Sequence, residues 1–230
     1  MNPRVKVCGF TRAEDICAAL DAGVDLIGLN VARGPRRISL EHATQLARLV
    51  PPGVGVVALF VDADEATILN AAAALRVTAV QLHGDESPEL CARIKVRIPL
   101  IKAFRVAQAA DLAHVRGFPA DACLLDAAVP GTHGGTGTSW NHAWLGACDP
   151  GMPVILAGGL TPANVHAAVQ ATRPWAVDTA SGVESAPGLK DPALMAAFVA
   201  EARRSLLDPA ALSTSTSTST PRSPRLETLC

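Results

Sequence analysis

Apolar residues in this chain fall in short unbroken runs, with little alternation of apolar and polar positions. The runs are Arg4 to Cys8, Val24 to Val31, Val54 to Val61, Ala79 to His83, Leu100 to Phe104, Ala122 to Asp126, Pro153 to Ala157 and Trp175 to Asp178. Continuous runs of this length mark parallel strands covered on both faces. Helical stretches lie between them. Thr11-Arg12-Ala13-Glu14 reads as a capping box, with Asp15 to Ala22 continuing the first helix. Ser39 caps a second helix to about Val50, and Asp64 to Leu75 forms a third. Further helices are expected over Pro88 to Val96, Ala107 to Val115, from Ser139, from Thr161-Pro162 to Ala171, and over Asp191 to Leu206.

Strict alternation of strand and helix with short links predicts an α/β fold with a parallel sheet and helices outside. Eight such pairs within about 205 residues favour a closed (β/α)8 (TIM) barrel, a single domain, over an open doubly wound sheet. The barrel is expected to fill residues 1–207. From Asp208 the composition changes to a Ser-Thr repeat and Pro-Arg-Ser-Pro-Arg, so residues 208–230 read as a disordered tail.

Composition narrows the function classes. Apolar residues make up 49% of the chain, enough for a large core, and the formal net charge of −1 includes no basic stripe for nucleic acid. Five Phe, three Trp and no Tyr leave few stacking surfaces for bases. No apolar run is long enough to span a membrane, and the first residues lack a signal-peptide layout. The six cysteines show no close pairing and no metal-type spacing, as expected of a cytoplasmic protein.

In such a barrel, functional side chains gather where the strands end. Cys8 ends the first strand and Asp126 the sixth, three steps apart around a ring of eight, which sets them across the mouth from each other. Cys8 also precedes the first helix, whose N-terminus would favour a thiolate. Glycine clusters follow three neighbouring strands: Gly134-Gly135-Thr136-Gly137, Gly158-Gly159, and Ser181-Gly182. Glycine lets backbone N–H groups approach an anion closely, and the links after strands seven and eight are a common phosphate site. Arg36 and Arg37, in the link after the second strand, could hold a carboxylate through a planar fork. His83 and Asp178 end strands four and eight, and His83 reads as a hydrogen-bonded structural residue.

Several of these stretches together resemble the phosphoribosylanthranilate isomerase family of tryptophan biosynthesis. They are Val5-Lys6-Val7-Cys8-Gly9-Phe10-Thr11, Val80-Gln81-Leu82-His83-Gly84, Leu125-Asp126, Gly134 to Gly137, Leu156 to Val165 and Val177 to Glu184. The resemblance runs in order from about Arg4 to Arg204 and omits the tail. It implies a (β/α)8 barrel that needs no cofactor or metal and binds a small phosphoribosyl substrate, acting as a monomer or homodimer.

By the same resemblance, Asp126 is the general acid, Cys8 the general base, and Arg36 the partner of the substrate carboxylate. Gly135, Thr136, Gly137, Gly158, Gly159, Ser181 and Gly182 hold the phosphate, with His83 and Asp178 in support. The link Leu29 to Arg37 departs from the family's aromatic-containing run, which leaves Arg36 and Arg37 both open for the carboxylate. Two other readings remain: a different phosphosugar barrel, such as an epimerase or synthase, and a non-catalytic binder of a phosphate ligand.

Overall fold

A computed structural model describes residues 2–127 and 150–204 of the chain. Eight parallel strands close on themselves in sequence order. They are β1 (Arg4–Cys8), β2 (Leu26–Asn30), β3 (Gly55–Phe60), β4 (Ala79–Leu82), β5 (Leu100–Val106), β6 (Ala122–Ala127), β7 (Val154–Ala157) and β8 (Ala176–Thr179). The closing pair is β1 with β8, where Lys6 registers with Asp178.

Strand residues alternate between two apolar layers. Val5, Val7, Ile27, Leu29, Val80, Leu82, Leu125 and Leu156 face the surrounding helices. Leu26, Val57, Ala79, Ile101, Leu124 and Ile155 fill the barrel's interior. Both faces of each strand are therefore buried, which is why the sequence runs are unbroken.

Outside the barrel lie α1 (Ala13–Asp21), α2 (Leu40–Ala47), α3 (Glu65–Leu75), α4 (Pro88–Arg97), α5 (Val165–Thr172) and α6 (Pro192–Arg204). Three start as their sequence suggests. Ser39 accepts from the His42 amide at 3.1 Å, Asp64 from Thr67 at 2.8 Å, and Ser87 from Leu90 at 3.3 Å. These bonds satisfy amides that have no partner within the helix.

Three expectations are corrected. Thr11 is not a helix cap: its hydroxyl donates to the Gly188 carbonyl at 2.6 Å, and α1 begins at Ala13 after Arg12, with no side-chain cap. The stretch Ala107 to Val115 forms only a 3-10 helix over Ala109–His114. There Asp111 accepts from the Ala107 and Gln108 amides, and Gly117, in the left-handed region, follows two residues after the cap Val115. The helix after β7 starts at Val165, because Asn164 folds back to accept from the Thr161 amide and donate to the Gly159 carbonyl.

A short antiparallel hairpin, β9 (Glu184–Ala186) with β10 (Leu189–Lys190), follows β8 and was not anticipated from the sequence. The helix expected from Ser139 and the tail from Asp208 lie outside the described residues. Among the described residues, no helix is long and apolar enough to cross a membrane.

Candidate active site

The interior layer is apolar in its lower part and turns polar toward the C-terminal strand ends. Lys6, Gln81 and Asp178 are buried there, with Cys8, His83 and Asp126 above them. Lys6 and Cys8 are two residues apart on β1, so both point inward, as do Gln81 and His83 from β4.

Cys8 is 7% exposed at the end of β1. Its space is cleared by β2, which presents Gly28 opposite it in register. A Cβ at Gly28 would meet the Cys8 sulfur at 2.7 Å and its Cα at 2.8 Å. Burial pushes the thiol up from its ordinary range, and the nearby Lys6 and Lys190 oppose that push. The expectation that a helix N-terminus would favour the thiolate is thus corrected. The first helix starts five residues on, and burial wins over the neighbouring cations.

Asp126 lies on β6 in register with Ala157 of β7, and its side chain is one-third exposed to the mouth. His83 Nε2 sits 3.4 Å from Asp126 Oδ2, and Gln81 Nε2 lies 3.1 Å from His83 Nδ1. His83 therefore stands beside Asp126 and is hydrogen-bonded to Gln81, as the sequence reading expects. Asp178, between these groups and β1, is 2.9 Å from the Lys6 ammonium and within electrostatic reach of His83 and Asp126.

The links after β7 and β8 are stitched together. Thr179 Oγ1 donates to the Leu160 carbonyl at 2.8 Å. A Cβ at Gly182 would overlap that carbonyl, so only glycine fits where the two links touch. Gly158 and Gly159 both hold positive φ, and Ser181–Val183 forms one turn of 3-10 helix beside them. Asn164, through its bonds to Thr161 and Gly159, shapes the first of these links. Gly135, Thr136 and Gly137 fall outside the described residues.

Arg36 and Arg37 part company. Arg37 is exposed, whereas Arg36 is half-buried and binds Glu184 side-on, Nε to Oε1 at 2.8 Å and Nη2 to Oε2 at 2.6 Å. Glu184 also accepts from Lys190 Nζ at 2.8 Å. That buried ammonium donates further to the Cys8 carbonyl at 2.6 Å and the Ala180 carbonyl at 3.1 Å. Burial would raise the Glu184 carboxyl, but hydrogen bonds from Arg36 and Lys190 outweigh it and hold the group below its ordinary range. One network thus connects Arg36, the hairpin and the backbone of Cys8.

Lys6, Gln81, Glu184 and Lys190 escaped the sequence reading as site residues. Charged residues usually lie on the surface, and only the inward phase of β1 and β4 hints at Lys6 and Gln81. Among the described residues, no group of His, Cys, Asp and Glu is arranged to hold a metal ion.

Comparison with known proteins bears on the family and the barrel fold. A family model described as N-(5'phosphoribosyl)anthranilate (PRA) isomerase matches residues 5–201. The N-(5'-phosphoribosyl)anthranilate isomerase of Myxococcus xanthus is 48% identical over 209 residues, covering 88% of this chain and 97% of its own. The crystal structure of phosphoribosyl anthranilate isomerase from Thermotoga maritima superposes with a TM-score of 0.83 at 37% identity, covering 88% of this chain and 99% of that one. Another solved isomerase, in complex with reduced 1-(o-carboxyphenylamino)-1-deoxyribulose 5-phosphate, gives a TM-score of 0.79 at 35% identity, with coverage of 88% and 99%. This chain belongs to the N-(5'-phosphoribosyl)anthranilate isomerase family.

Proposed function

We propose that the chain converts N-(5'-phosphoribosyl)anthranilate to 1-(2-carboxyphenylamino)-1-deoxyribulose 5-phosphate, with Asp126 as general acid and Cys8 as general base. This Amadori rearrangement is a step of L-tryptophan biosynthesis. The observation that carries the assignment of roles is the placement of the two groups. They stand on the inner faces of β6 and β1, three strands apart, with the glycine links of β7 and β8 on the wall between them.

Asp126 gives its proton to the furanose ring oxygen as the bond from that oxygen to C1 breaks. The ring opens to an iminium ion, C1=N, which draws electrons and makes the C2 proton acidic. The Cys8 thiolate takes that proton. The C–H electron pair becomes the C1=C2 bond, and the iminium pair returns to nitrogen, giving an enolamine. The enolamine gains a proton at C1 and loses one from its C2 hydroxyl to become the ketone. Such acid and base groups each contribute about 10²–10⁴-fold in rate.

Gly158, Gly159, Ser181 and Gly182 bind the phosphate through backbone groups, as suits the links after strands seven and eight. Gly135, Thr136 and Gly137 complete this grip. Arg36 meets the anthranilate carboxylate with the guanidinium edge that Glu184 leaves open. This choice over Arg37 is supported by its anchoring on Glu184, since a fixed fork loses less freedom on binding. The ligand in the related complex carries both a phosphate and a carboxylate, the two anions this division of the site requires.

The test is loss of fluorescence from freshly generated phosphoribosylanthranilate on adding purified protein, beside Cys8→Ala and Asp126→Asn variants. Wild type should consume the substrate without added metal, and each folded variant should be slower by at least about 100-fold. Absence of turnover by folded wild type would overturn the proposal. Full activity in either variant would overturn that residue's role.

A further inference from the structure

We infer that the buried Lys6–Asp178 ion pair stabilises the thiolate of Cys8 against its burial, which makes Lys6 a positioning residue for the base. The inference rests on the reading of Cys8 as the base and deepens it.

Lys6 is fully buried, on the same inward face of β1 as Cys8 and two residues below it. Its ammonium is 2.9 Å from Asp178 Oδ1, and the two residues are direct register partners across the seam between β1 and β8. Cys8 stands within electrostatic reach of the ammonium. Burial alone would drive Lys6 toward its neutral form, yet Asp178 and Cys8 together hold it charged.

A pair of this kind is a poor way to fill a core. A buried ion pair loses most of its attraction to desolvation, and apolar residues of the same volume are often as stable. The interior layer just below is built from Leu26, Val57, Ile101 and Ile155, so an apolar filling is compatible with this barrel.

The charges around Cys8 come from four directions. Lys6 lies on its own strand, Asp178 on β8, Lys190 on β10 and Arg36 in the link after β2, while β2 itself presents the uncharged Gly28. Lys6 favours the thiolate and Asp178 opposes it, and the charge of Lys6 is the stronger of the two. The pair is neutral in sum but positive as seen from the sulfur. During the reaction the C2 proton goes to sulfur, and Lys6 stays an ammonium throughout.

The experiment is site-resolved alkylation by iodoacetamide, comparing wild type with the paired variant Lys6→Met/Asp178→Asn. The paired change avoids stranding a single buried charge, and circular dichroism checks that the barrel is intact. Cys17, which is exposed, serves as the internal standard. At about pH 8, alkylation of Cys8 relative to Cys17 should fall about tenfold or more, with the deficit closing as pH rises, since only the thiolate reacts. Turnover should fall in parallel with KM little changed.

An unchanged Cys8 to Cys17 ratio in the folded variant would overturn the inference, whatever happens to kcat. Turnover surviving in Cys8→Ala would overturn the base assignment instead, on evidence separate from the alkylation.

Discussion

Arg36 and Glu184 are 148 residues apart in sequence and meet as a side-on fork, two nitrogens on two carboxylate oxygens at 2.8 and 2.6 Å. The guanidinium is fixed before any substrate arrives. Charge-assisted bonds of this type contribute about 1.5–3 kcal/mol each. Glu184→Gln should therefore raise KM about tenfold while kcat falls by less, in steady-state kinetics at saturating and limiting substrate. A larger loss in kcat than in KM would show that Glu184 acts mainly through Lys190 on Cys8.

The same carboxylate should shape acid stability. Arg36 and Lys190 hold Glu184 below its ordinary 4.5 in the folded state. A depressed carboxyl contributes stability that is complete above its unfolded value and is lost as pH falls through the folded one. Wild type should thus lose stability below about pH 4.5 more steeply than Glu184→Gln, in urea unfolding repeated across pH 3–6. Parallel curves would contradict this account.

His83 should matter for turnover and little for binding. Its Nε2 lies 3.4 Å from Asp126, and Gln81 meets its other ring nitrogen. On the proposal that Asp126 is the general acid, His83→Ala removes a group beside it, so kcat should fall about tenfold or more with KM nearly constant. Gln81→Met should give a smaller loss in the same direction, since His83 remains but its ring is less firmly held. A change confined to KM in either variant would place these residues at substrate binding.

Gly28→Ala tests the clearance beside Cys8. The new methyl would press on the Cys8 sulfur and on its backbone, and the backbone of a barrel strand cannot give way. Overpacking of this kind costs about 1–3 kcal/mol, so Tm should drop by several degrees and turnover should fall. Differential scanning calorimetry and kinetics on the same preparation would check both.

The barrel was legible because its strands are buried on both faces, leaving eight unbroken apolar runs such as Val56 to Phe60. Ser39 was legible as a cap because it stands just before an amphipathic stretch. Thr11 carried the same local signal and failed, since the hairpin brings the Gly188 carbonyl within reach of its hydroxyl. That hairpin has strands of three and two residues, too short for any periodicity to appear.

Cys8 and Asp126 could be read from their places at strand ends, and Arg36 only as one of a pair. What separates Arg36 from Arg37 is Glu184, which no local pattern connects to either. Lys6 and Lys190 look in the sequence like ordinary solvated charges, and only the closed ring shows that each is enclosed by partners from distant strands.

Lys190 fastens the carbonyl of Cys8 from 182 residues further along the chain. The first strand leaves the ribosome with Cys8 and Lys6 already present but without the distant groups that meet them. β8 and then the hairpin must emerge before Asp178 and Lys190 can reach it. A nascent or prematurely terminated polypeptide therefore lacks the assembled surroundings of Cys8, which form late in translation, when the two ends of the ring are joined.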